Sequence, residues 1–174
     1  MNLKISAWAA IIGAIILIPS CVLGLLLETM PENQTIHVLS IIVTAIGLLV
    51  AFLIVLGYVR IAKLNKLKFL EIMMYISLIA AVLFNIYAIL TIKSDSMFGL
   101  VFLVLLGIIE LITGIAIFKL KNVFGGIITA IGVMYIINGI FFASIIFLLL
   151  IPLTGIATCI LEAIFFFRAS KKYD

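Results

Sequence analysis

The sequence predicts an all-α fold, a polytopic transmembrane helical bundle of about six spans arranged as three hairpins, with the N- and C-termini cytoplasmic. Three observations predict it. Of 174 residues, 67% are hydrophobic and only 10% are charged, with mean hydropathy +1.53, far from the roughly half-apolar mix of a soluble domain. The apolar residues fall into blocks long enough to cross a bilayer, each span needing about 20 residues. The Lys and Arg residues fall almost entirely to one side of those blocks.

The spans follow in order. The first, residues 7–27, comes after Lys4, and the second, residues 38–58, runs from His37 to the basic cluster Arg60, Lys63, Lys66 and Lys68. The third covers 69–92 and the fourth 97–118, ending at Lys119 and Lys121. The last apolar stretch, 123–167, would overrun the bilayer as one helix. A break near 138–144 divides it into spans at 123–142 and 145–167. The connections, about 4–12 residues each, are too short to bury cores of their own, so residues 1–174 form a single integral membrane domain.

Charge tests the count independently, because bases gather in short cytoplasmic loops. Lys4, Arg60, Lys63, Lys66, Lys68, Lys119, Lys121, Arg168, Lys171 and Lys172 lie on one side. Of the eleven bases only Lys93 falls opposite, with Glu28, Glu32 and Asp95. An odd number of spans would split this pattern. The net charge of +4 is therefore a signal of topology and of contact with anionic headgroups, and nucleic-acid binding is not expected. The ends of alternate spans resemble one another, and Lys68 to Asn85 equals Lys121 to Asn138 in length, which suggests hairpins in parallel register.

Helix interfaces in lipid rest on small residues at helical spacing. Such stripes run through Ala9, Gly13, Ser20 and Gly24, through Ser40, Thr44, Gly47 and Ala51, and through Gly125, Thr129, Gly132 and Gly139. They are expected to serve bundle packing. Pro19 and Pro152 are expected to kink the first and last spans.

Carboxylates inside spans carry the chemistry, since an ionisable group in hydrocarbon costs a few kcal/mol and faces a bundle interior or a wet path. Glu110 lies about 13 Å from Lys119 and Glu162 about 9 Å from Arg168 along their helices. Glu71 is shallower and is expected to pair with the basic loop. Gly107, Thr113 and Gly114 share the face of Glu110, and Thr154 and Thr158 that of Glu162. Glu110, Glu162, Thr113 and Thr158 are thus the candidate ion- or substrate-binding residues, with structural hydrogen bonding between helices as the plainer use. Asn85 and Asn138 are expected near the outer boundary, linking or ending helices. Trp8 and Tyr58 are expected at the inner interface as anchors.

The remaining signals are weak. Cys21 and Cys159 are too far apart in depth for a disulfide. Lys4 and the stretch up to Cys21 loosely resemble a lipoprotein signal, but the apolar run continues through Leu27. Asn33-Gln34-Thr35 is a glycosylation sequon. The sole histidine, His37, stands apart from any cluster at metal-ligand spacing, and no catalytic motif is present. The sequence therefore predicts no enzyme, no metal and no cofactor. It predicts a cell-membrane protein whose partners are the lipid bilayer and other membrane subunits or further copies of itself. A non-enzymatic accessory or structural component is preferred, with a small transporter or channel using Glu110 and Glu162 as the alternative.

Overall fold

The computed structural model describes the chain apart from Met1, Pro31, residues 92–96, 145–146 and 148–149, and the side chains of 88–91 and 97–98. The expected outer-loop residues Lys93 and Asp95 lie outside the described residues. The described elements are helices: α1 (Leu3–Thr29), α2 (Gln34–Leu64), α3 (Lys68–Thr91), α4 (Met97–Phe118), the single turn α5 (Lys121–Phe124), α6 (Gly126–Ser144) and α7 (Ile151–Tyr173). Six of them are long and apolar enough to cross a membrane.

Local chemistry sets the ends of these helices. Asn2 accepts from Lys4 N–H at 2.8 Å, and Asn33 accepts from Thr35 and Ile36 N–H at 3.0 and 3.3 Å, satisfying donors that the first turn leaves open. The α2–α3 turn places Lys66 at φ +56°, and Gly125, at φ +69°, separates α5 from α6. The outer surface carries Ile15, Leu49, Ile79, Leu105 and Leu153, each at least half exposed. This apolar exterior, with polar groups turned inward, suits hydrocarbon as solvent.

Each long helix packs on the next, and α7 returns against α1, so the six form a closed ring. The closest seams are α4 with α6, then α1 with α7 and with α2, whereas α3 is held more loosely on both sides. The expected three hairpins therefore do not dominate the packing, because two of the tightest seams join helices from different hairpins. The α4–α6 seam is built from two glycine pairs. A Cβ on Gly107 would stand 2.6 Å from Gly139 O, and one on Gly114 would stand 2.7 Å from Gly132 O, so only glycine permits this approach.

The end of the ring where α1 begins and α7 finishes is solidly filled. Tyr58 stacks on Phe165 at 5.6 Å and meets Phe166 edge-on at 4.9 Å, and Phe124 meets Phe165 at 5.0 Å. Leu3, Ile61, Leu70, Ile117 and Leu120 are fully buried around them. Ser6 donates across to Leu53 O at 2.8 Å, where Gly57 leaves it room. The Asp174 carboxylate accepts from Leu3 N–H at 2.8 Å and pairs with Arg60, and Tyr173 O–H donates to Asn65 at 3.1 Å. Lys63 pairs with Glu71 at 3.5 Å.

Several expectations are corrected. The predicted break near 138–144 falls too early, because α6 continues to Ser144 and the last span begins at Ile151. Pro152 does not kink that span; it occupies the first turn of α7, where its missing N–H leaves no helical bond unmade. Tyr58 is no interfacial anchor but is completely buried, whereas Trp8 is exposed on the outer face. Gly125 belongs to a turn and meets no neighbour, so it is not part of a packing stripe. The equal spacing of Lys68–Asn85 and Lys121–Asn138 is not an equal register, since Gly125 interrupts the second segment.

Candidate functional site

Polar residues from the middle of the spans converge on the axis of the ring. A cavity of about 230 Å³ is lined by all six long helices and receives Glu110 from α4, Tyr135 and Asn138 from α6, Thr158, Cys159 and Glu162 from α7, and Ser77 from α3. Its other wall is apolar, with Leu17, Ala51, Ile54, Val55 and Leu78 from α1, α2 and α3. No lysine or arginine lines it. Both deep carboxyls thus reach one space.

Glu162 is the more enclosed, at 2% exposure. Tyr135 donates its O–H to Glu162 Oε1 at 2.8 Å from the neighbouring helix. The Tyr58 hydroxyl, from α2, is also buried. One helical turn before Glu162, Thr158 O–H donates back to Thr154 O at 2.8 Å, so its oxygen is left to accept. Asn138 Nδ2 donates to that oxygen at 3.4 Å, which fixes the orientation of the amide. Asn138 Oδ1 then remains buried with no partner, in a residue only 9% exposed.

The predicted site residues separate in the structure. Glu110, Glu162 and Thr158 line the cavity. Thr113 does not; it is fully buried, and its hydroxyl donates to Ile109 O at 2.8 Å within its own helix. Gly107 and Gly114, which share the Glu110 face in sequence, belong to the glycine seam. Asn138 lies at the level of the carboxyls and not at the outer boundary, because α6 starts only after Gly125. Sequence reasoning did not find Tyr135 as the partner of Glu162. Its only signal was a hydroxyl-bearing aromatic three residues before Asn138, in the middle of an apolar span.

A second cavity, about 280 Å³, adjoins the first and shares Leu17, Ala51, Ile54, Ala81 and Cys159 with it. It extends away from the filled end between α1, α2 and α3, past Gly13, Ser20, Thr44, Gly47 and Asn85. The stripes expected to close-pack α1 and α2 therefore line space in part, and a Cβ on Gly47 would meet nothing within 4 Å. Asn85 turns its amide to Ala81 O at 2.8 Å in its own helix. Among the described residues no group of three His, Cys, Asp or Glu side chains is placed to hold a metal ion, and both cysteines are free thiols.

No family model, curated protein or solved structure matches the chain. The reading of the site rests on its geometry.

Proposed function

We propose that the chain is a small multi-pass carrier of the cell membrane whose central chamber binds a proton or a cation at Glu110 and Glu162. The observation that carries this reading is the convergence of two carboxyls from two helices, α4 and α7, on one cavity without a basic residue. A carboxyl in such a place is neutralised by a proton or by a bound cation, because an unpaired charge away from water costs several kcal/mol. Each monovalent cation that enters therefore releases one proton, which couples the two fluxes.

The filled end, with Tyr58, Phe165 and Phe166, supports a closed cytoplasmic gate, and the adjoining second cavity supports an approach from the opposite face. The positive-inside pattern favours that orientation, with both termini in the cytoplasm. The small-residue seams serve to hold the ring, so they no longer argue for an accessory role.

The test is a pH jump applied to proteoliposomes on a supported membrane. The carrier reading predicts a transient current as protons reach the chamber, reduced in Glu110→Gln and in Glu162→Gln and abolished in the double variant, with helical content unchanged. A wild-type current no larger than that of protein-free liposomes would overturn the reading. A stoichiometric partner copurifying with such a silent protein would establish the accessory role in its place.

A further inference from the structure

The carrier reading leaves the cation unnamed, and the chemistry of the chamber narrows it. The hydroxyl and amide donors that Tyr135, Thr158 and Asn138 bring to the chamber are already engaged within the protein: Tyr135 O–H by Glu162, Thr158 O–H by Thr154 O, and Asn138 Nδ2 by Thr158. The strongest groups left over are acceptors, namely Asn138 Oδ1, which is buried and unpartnered, and the carboxyls of Glu110 and Glu162, beside the neutral Ser77 hydroxyl and Cys159 thiol. A site of this kind receives a ligand that donates. An anion such as a carboxylate or phosphate would find no basic side chain and would face two carboxyls.

The size and the second wall separate the remaining cations. A bare metal ion takes six or more oxygen ligands for Ca²⁺ or Mg²⁺, whereas here the oxygens gather on one side and the facing wall is Leu17, Ala51, Ile54, Val55 and Leu78. A volume of about 230 Å³ also far exceeds what one ion fills and approaches the lower end of small-molecule sites, about 300 Å³. A polar side and an apolar side in one cavity match a ligand with the same division.

We propose that the chamber binds a small organic ammonium ion, its N–H groups held by Glu162, Glu110 and Asn138 Oδ1 and its apolar body lying against the α1, α2 and α3 wall. This rests on the carrier reading and gives it a substrate class. The second cavity, continuous with that apolar wall, supplies room for the body as it enters. The bound ammonium takes the place of a proton on one carboxyl, so uptake of one ligand releases one proton and the net charge of the chamber is unchanged.

The experiment compares four probes on the purified, unmodified protein: phenethylammonium, the neutral 2-phenylethanol, the anionic 3-phenylpropionate and Na⁺. Thermal unfolding and proton release into weakly buffered solution are read together. Phenethylammonium alone is expected to raise Tm saturably and to release protons. Asn138→Ala and Glu162→Gln are each expected to weaken it by about tenfold or more, the scale of one lost hydrogen bond to a charged group. Equal stabilisation by 2-phenylethanol would mean apolar binding only and would overturn the proposal. Proton release by Na⁺ without any response to phenethylammonium would also overturn it while leaving the carrier reading standing. Absence of the pH-jump current in the same preparation would remove both. The probe comparison needs no variant, so misfolding of Asn138→Ala would not blunt it.

Discussion

Substituting Gly139 by alanine tests whether the α4–α6 seam sets the shape of the chamber. The new Cβ would stand 2.6 Å from Gly107 O and 2.8 Å from both Leu111 N and Leu111 Cγ. Two of these three atoms are backbone, which cannot rotate away. The helices must therefore separate until the 2.6 Å approach reaches at least the 3.4 Å where ordinary contact begins. Overpacking of this kind costs about 1–3 kcal/mol. Alanine also gains about 1 kcal/mol of helix propensity over glycine, which would hide part of the loss, so the comparison must be with another Gly→Ala change. Gly24, also in a span, has no atom within 4 Å of its added Cβ and provides that reference. The difference between Gly139→Ala and Gly24→Ala should then be the full packing cost, seen as a lower Tm at about 2–4 °C per kcal/mol for a chain of this size. Both variants would be followed by thermal unfolding in one detergent. Asn138 immediately precedes Gly139, so the pH-jump current should fall with the stability in Gly139→Ala alone. If Gly139→Ala proves as stable and as active as Gly24→Ala, the reasoning fails, because helices able to part without loss would not be defining the chamber.

Two further pairs of substitutions separate groups that the sequence treats alike. Thr113→Val removes a hydroxyl bonded within its own helix and should cost about 1 kcal/mol or less without changing the pH-jump current, whereas Thr158→Val takes away the acceptor of Asn138 Nδ2 and should alter that current. Equal effects on the current would contradict the placement of Thr113 outside the chamber. Lys63→Ala loses an exposed ion pair and should change stability by less than about 1 kcal/mol. Asp174→Ala breaks the contacts to Arg60 and to Leu3 N–H together, so a larger loss of Tm, only partly mimicked by high salt, is expected for it.

What could be read from the sequence was what depends on local composition. Five apolar runs, the last long enough for two spans, give six long helices, and counting from Lys119 and Arg168 places Glu110 and Glu162 deep because α4 and α7 are continuous up to those bases. Asn138 was misplaced by the same count because Gly125, one glycine in a glycine-rich stretch, breaks the helix after Lys121. Tyr58 looked interfacial because it precedes Arg60; its burial follows from Phe165 and Phe166, more than a hundred residues away, and no local pattern reports them. The chamber itself depends on which helix faces which. A signal for one seam was present, since Gly107 and Gly114 repeat the seven-residue spacing of Gly132 and Gly139, but spacing alone does not pair two helices.

The uneven tightness of the ring has a mechanical consequence. The glycine seam makes α4 and α6 one stiff unit, and the close packing of α7, α1 and α2 makes another, with α3 a looser strap between them. Glu110 rides on the first unit and Glu162 on the second. The bonds from Tyr135 to Glu162 and from Asn138 to Thr158 are rivets across the joint between the two units. Any rocking of one half against the other must stretch those rivets and change the gap between the carboxyls, so the spacing of the two carboxyls and the posture of the bundle are a single mechanical variable.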